Sequence, residues 1–256
     1  MDECLLRRLK EITEEERAIL SGQNGIQRER YTTGRDFVVD SEKMLEKGKL
    51  IEIRPHTRFV HFPRHRHNYV EMLYMCSGST THILNGTQRM KLHTGDLLFL
   101  NQAVYHEILP ASAEDVGVNF IILPQFFDRS FRMLERENVL RDFLVSTLSE
   151  TSTFAGWLHI EAGEILPVEN LLENMIWTLL EKKPGVNQLN QTTMGLLLQN
   201  LTLFAENINR TLPDSQEENA VFTALQYIET SYKDATLEEI ATRLHMPPYV
   251  LSRLLT

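Results

Sequence analysis

The feature that most constrains this chain is a change of hydrophobic period at Pro124. From residue 50 to 123 the apolar residues come in short or alternating runs, LIEI, RFVHF, YVEMLYMC, THIL, DLLFL and VGVNFII, separated by turn residues. Alternation of this kind is the mark of strands. Beyond Pro124 the apolar residues recur every three or four positions, the mark of helices. Asn85-Gly86 suits a type I′ hairpin turn because both residues tolerate positive φ, and a second turn falls at Thr94-Gly95-Asp96. Ahead of the strands, Leu5, Leu9, Ile12 and Ile19 recur at helical spacing, and Thr13 with Glu16 can form a capping box. The expectation is an α+β chain with an amphipathic N-terminal arm.

Composition narrows the function classes. The 256 residues suffice for one large or two smaller domains. A net charge of -9 argues against a protein that coats nucleic acid along its surface, and leaves room for a small DNA-reading module. Cys4 and Cys76 stand far apart and form neither a disulfide framework nor a cysteine metal site, which suits reduced thiols in a cytoplasm. The acidic N-terminus lacks a signal core, and no apolar run has the length of a membrane span. A soluble, cytoplasmic protein with no membrane partner is expected.

The helical part begins around PQFFDRSFRMLERENVLRDFLVSTL and continues as two longer helices split by Lys182-Lys183-Pro184-Gly185. Leu171, Leu172, Met175, Ile176, Leu179 and Leu180 give the first a broad apolar stripe. Met194, Leu197, Leu201, Phe204 and Ile208 give the second a coiled-coil-like seam, whose partner is either the preceding helix or the same helix of a second chain. Thr211 to Asn219 is polar and reads as an interdomain linker.

Two constellations carry chemistry. In HFPRHRHNYVEMLYMCSG, His65, His67 and Glu71 share one parity and can face one side of a sheet, and GDLLFLNQAVYH adds His106. Three imidazoles and a carboxylate suit a first-row divalent metal if the strands are adjacent. They equally suit a metal-free pocket, or polar groups that bond one another. His-x-His, three residues, Glu71, six residues and Gly78 resemble the first cupin motif, and Gly95 followed by His106 resembles the second. The chain departs from that second motif at Asn101, Ala103 and Pro110. The resemblance implies a small β-barrel with an inward-facing pocket.

In DATLEEIATRLHMPPYVLSRLLT, Thr236 and Glu239 form a capping box, and Leu237, Ile240, Ala241 and Leu244 give a packed face. His245-Met246-Pro247 breaks the helix, and Pro248 opens a second whose Leu251 and Leu254 face back on the first. The pair reads as a helix-turn-helix with Tyr249, Ser252 and Arg253 turned outward toward a major groove, or as a terminal hairpin without nucleic acid. With ALQYIETSY before it, the segment resembles the first half of the AraC-family DNA-binding domain. That family's usual order, a cupin-like effector domain, a helical dimerisation segment and then two helix-turn-helix units, matches this chain up to its end at Thr256. The second unit is expected to be missing by truncation. Residues 221–256 carry one more acidic than basic residue, so this part alone is expected to hold DNA weakly.

The fold expected is therefore an N-terminal arm and cupin-like barrel over 1–125, a helical linker and dimerisation segment over 126–210, a linker over 211–219 and a partial helix-turn-helix domain over 220–256. The resemblance implies a homodimeric transcription regulator, not an enzyme, that binds promoter DNA and a sugar or other small metabolite. His65, His67, Glu71 and His106 would line the effector pocket, with Tyr69 and Tyr105 near its mouth, and Tyr249, Ser252 and Arg253 would meet DNA. No cofactor is required, although the histidines could hold a divalent metal. The rival reading is a metal-dependent cupin oxygenase or isomerase that uses His65, His67, Glu71 and His106.

Overall fold

The alternating runs of the sequence form two sheets. The structure, a computed structural model, describes residues 1–134, 139–147, 156–210, 220–221, 223–225, 227–228, 231 and 235–255. Its strands are β1 (Val38–Val39), β2 (Ile51–Pro55), β3 (Phe62–His67), β4 (Val70–Ser77), β5 (Ser79–Leu84), β6 (Gln88–His93), β7 (Asp96–Leu100), β8 (His106–Ile108), β9 (Val116–Ile122), β10 (Trp157–Glu161) and β11 (Asn207–Arg210). One sheet runs β1-β3-β8-β5-β6 and the other β11-β10-β7-β4-β9-β2. Among the described residues all pairings are antiparallel except β1 with β3. Asn85 and Gly86 both take positive φ between β5 and β6, as the type I′ turn requires. Gly78 also has positive φ, and a Cβ there would strike the Asp115 carboxylate.

The helices are α1 (Glu3–Lys10), α2 (Glu14–Leu20), α3 (Ser41–Met44), α4 (Asp128–Phe131), α5 (Val139–Ser146), α6 (Leu166–Glu181), α7 (Val186–Phe204), α8 (Leu237–Arg243) and α9 (Pro248–Leu254). The larger sheet uses its two faces differently. Met72 and Tyr74 of β4, Leu97 and Phe99 of β7, and Val118 and Phe120 of β9 join one apolar core with α1, α6 and α7. Their neighbours of opposite parity, Glu71 and Asn119 among them, face the smaller sheet.

Two expectations change. The stretch expected to be wholly helical contains β10 and β11, and β10 pairs with β7 from Trp157 opposite Leu100 to Glu161 opposite Asp96. The seam of α7 is not free: Met194, Leu197 and Leu201 are buried in the core that α6 also enters, Phe204 is exposed, and Ile208 belongs to β11. Once α6 lies alongside, the intramolecular hairpin accounts for those residues. The linker expected over 211–219 lies outside the described residues.

The N-terminal arm is two helices, and it is part of the fold. Leu5 and Leu9 enter the main core, and the Thr13–Glu16 capping box starts α2. The buried side chains of α2 are Glu15 and Glu16. Glu16 is matched by Arg58, whose Nε and Nη2 donate to its two oxygens at 2.6 and 2.9 Å. Arg58 Nη1 also donates to the Ala113 carbonyl at 3.0 Å, and Nη2 to that of Lys10 at 3.3 Å. One buried arginine thus ties both N-terminal helices to the sheets. Burial alone would raise the Glu16 carboxyl, but the bonds from Arg58 and the Thr13 N–H hold it below its ordinary value.

Breaking a buried pair strands the other charge. Arg58→Met is expected to lower the unfolding free energy by about 3–5 kcal/mol in urea titration. The Arg58→Met, Glu16→Met double substitution should recover most of that loss, and equal instability of the two variants would mean that the pair is not what holds α2.

Candidate functional site

The site forms where the two sheets face each other. The pleat of β3 turns His65 and His67 inward and leaves Arg64 and Arg66 out, while β8 brings His106 directly opposite His65. Glu71 comes from β4 of the other sheet, opposite Leu100 and Ile121. All four side chains are buried. The His65 and His106 rings lie 4.1 Å apart between centroids, and His67 lies 5.0 Å from each. One nitrogen from each of the three histidines falls within a mutual 4.8 Å. Glu71 Oε1 stands 3.7 Å from His67 Nε2, and Oε2 stands 3.6 Å from His106 Nε2. These separations are too long for hydrogen bonds.

Two histidines that sequence reading missed extend the cluster. His82 on β5 places Nδ1 3.2 Å from His106 Nδ1, so one of those nitrogens must carry the proton. His56, just past β2, faces Asn119 Oδ1 at 3.2 Å and Thr80 Oγ1 at 3.1 Å through its two nitrogens. The signal for His82 was its parity with Thr80 and Leu84 in STTHIL. His56 sits outside any strand and had no such signal.

Burial decides the protonation. It pushes His56 and His65 down to about 4, and His67, His82 and His106 well below the ordinary imidazole value. It pushes Glu71 up to about 8. At neutral pH the imidazoles are uncharged. His65 Nδ1 lies 2.8 Å from the Pro63 carbonyl, an acceptor, so Nδ1 carries the proton and Nε2 keeps its lone pair. His67 Nδ1, His82 Nε2 and His106 Nε2 are buried without a hydrogen-bond partner among the described residues. A fixed His65 tautomer and partnerless nitrogens fit a divalent cation held by His65, His67 and His106, with the Glu71 carboxyl beside them. The same atoms can bond a polar organic ligand.

Beside the cluster lies a cavity of about 260 Å³ walled by His65, His67, Tyr69, Glu71 and the α2 end of the N-terminal segment. The tyrosines do not stand at its mouth as expected. Tyr69 is buried in the wall. Tyr105 is outside the cavity, with the Arg64 and Arg66 guanidiniums 4.7 and 5.8 Å from its ring centre, because the residue before His106 has the opposite parity. His106 lies behind the wall rather than on it. Asn101, a departure from the second cupin motif, accepts from the Ala103 and Gly156 N–H groups at 3.1 Å each and so fixes the turn after β7.

At the other end of the chain, Ala224, Ile240, Ala241 and Leu251 form a small buried cluster under α8 and α9. The Thr236–Glu239 capping box starts α8, and His245 takes positive φ in the turn. Tyr249, Ser252 and Arg253 are exposed on α9, and Leu254 is half-buried.

The histidines predict acid sensitivity. A group whose folded value lies near 4 and whose unfolded value lies near 6.5 binds its proton in the unfolded chain first, so stability falls as pH drops through that window. His56→Gln should lessen the slope between pH 6.5 and 4 by about one proton, or about 1.4 kcal/mol per pH unit, in urea titrations across pH. An unchanged slope would mean that His56 is not buried neutral.

Residues 50–135 match the family model described as AraC-like ligand binding domain. No curated protein matches the chain. Among solved structures, the apo form of a single-residue variant of ToxT from Vibrio cholerae strain SCE256 is 10% identical over 82% of this chain and 75% of its own, with a TM-score of 0.48. Unsaturated fatty acid-bound wild-type ToxT from the same strain is 12% identical over 80% and 72%, with a TM-score of 0.42. The AraC-like transcriptional activator CuxR is 11% identical over 73% and 60%, with a TM-score of 0.36. These scores all lie under 0.5, so the comparison rests on the matched segment: residues 50–135 are similar to the AraC-like ligand-binding domains.

Proposed function

We propose that the chain is an effector-responsive transcription regulator of the cytoplasm. A small metabolite occupies the cavity beside the histidine cluster, a dimer forms through α7, and α8–α9 act as a helix-turn-helix on promoter DNA. The observation that carries the reading is a cavity with both polar and apolar walls, formed between the N-terminal segment and the AraC-like ligand-binding segment. Two short helices near the C-terminus, the first opened by a capping box and the second by Pro248, with an exposed tyrosine, serine and arginine on α9, support the DNA half. No helix among the described residues is long and apolar enough to cross a membrane.

The metal-dependent enzyme is the second reading, favoured by the His65, His67 and His106 nitrogens that gather within 4.8 Å. Such an ion would act as a Lewis acid, and the chain would hold it through those three residues and Glu71. Native mass spectrometry of the full chain, purified without a histidine tag, separates the two. The regulator reading expects a bound organic molecule that His67→Ala releases. One divalent ion per chain and no organic molecule would favour the enzyme.

The dimer face differs from the seam first expected. Leu189, Leu196 and Leu203 are exposed on α7 at intervals of seven, which leaves an apolar stripe on the side away from the core. Leu196→Asp with Leu203→Asp should give a monomer in light scattering, with weaker hold on a selected two-half-site DNA. Arg253→Ala should remain dimeric and lose about 1–3 kcal/mol of base discrimination at fixed salt. A dimeric Leu196→Asp, Leu203→Asp variant would move the interface elsewhere, and unchanged discrimination would move the reading helix.

A further inference from the structure

The cavity wall holds two opposite charges that do not meet. Glu15 is buried, and its Oε2 accepts the Tyr31 hydroxyl at 2.5 Å while its Oε1 has no hydrogen-bond partner among the described residues. Arg54 has its Nη1 2.7 Å from the Met44 sulfur and its guanidinium carbon 5.7 Å from the centre of the Tyr31 ring. Neither has an ion-pair partner within 4.0 Å among the described residues. A buried carboxylate oxygen without a donor is costly, and the half-buried Arg54 guanidinium has only a thioether as hydrogen-bond partner among the described residues.

The other charges near this end of the cavity are accounted for. Glu16 is taken by Arg58, and Glu14 and Arg30 are exposed, with Arg30 Nε on Gln27. One buried anion and one half-buried cation remain, the first at the hydroxyl of Tyr31 and the second over its ring. An uncharged sugar would leave both unmatched, and a simple acid or a simple amine would leave one. A molecule that carries both signs matches both. Phe62, Ile108 and Ile121 supply an apolar wall to the same cavity. Its volume of about 260 Å³ equals roughly nine waters at about 30 Å³ each, room for one small molecule.

We infer that the ligand is an α-amino acid with an apolar side chain, its carboxylate on Arg54, its ammonium on Glu15 and its side chain against Phe62, Ile108 and Ile121. This rests on the reading of the cavity as an effector site and names the class of effector.

Calorimetry on the full chain tests it with leucine, isoleucine, valine, methionine and phenylalanine, each beside its deaminated and its decarboxylated analogue; for leucine these are 4-methylpentanoate and 3-methylbutylamine. At least one amino acid should bind, with both of its analogues about tenfold weaker or worse, a loss of about 1.4 kcal/mol each. Arg54→Gln and Glu15→Gln should each weaken the amino acid by a similar factor. Glu15→Gln retains an oxygen for the Tyr31 hydroxyl, and if either variant fails to fold, the analogue comparison on the unaltered chain decides alone. Equal affinity for the acid analogue, or a silent Glu15→Gln, overturns the inference in favour of a simple anion. If none of the five amino acids binds while native mass spectrometry finds another organic molecule that His67→Ala releases, the inference fails and the effector reading stands. If no organic molecule is found by either route, both fail.

Discussion

A sheet buried on both faces has to present two different surfaces from one strand, and that constraint organises this molecule. In β4, Met72 and Tyr74 serve the apolar core under α6 and α7, while Glu71 between them and Val70 faces the histidines of the opposing sheet. Core and site therefore share a register. A slip of one residue in β4 would carry Glu71 into hydrocarbon and Met72 into the cluster, so the packing of the helices is what holds the carboxyl opposite His67 and His106.

What the sequence made legible follows from that period. His65 and His67 could be placed on one interior because strand parity is a local property, and the capping boxes at Thr13 and Thr236 were visible because they too are local, whereas Glu71, expected on the same sheet face, reaches that interior from β4 of the other sheet. Tyr105 was misplaced because nearness to His106 was followed in place of parity. β10 escaped because its five residues form a strand through β7, a neighbour 57 positions or more away, and nothing in WLHIE announces that partner. The apolar period of α7 was read correctly, yet periodicity names a face and not what covers it. Glu15 and Glu16 looked like the polar side of a helix, and only Tyr31 and Arg58, distant in the chain, make them interior residues.

Two solutions to buried polarity coexist around one cavity. Glu16 keeps its charge because Arg58 and the Thr13 N–H bond it, whereas the imidazoles of the cluster give up theirs because no partner offsets burial. The first arrangement fixes the frame. The second leaves lone pairs and protons available at neutral pH, which is what a site needs in order to bond something other than itself.

The wall that α2 contributes to the cavity makes occupancy depend on the N-terminal segment. Glu16 of that wall is held by Arg58 across 42 residues, and Glu15 by Tyr31 across 16, whereas the strands pair among themselves without α2. Local opening of α2 would therefore leave the strands in register and widen the cavity on that side. Occupancy and completion of the N-terminal wall then become one cooperative event, in which whatever binds also selects the fully folded chain.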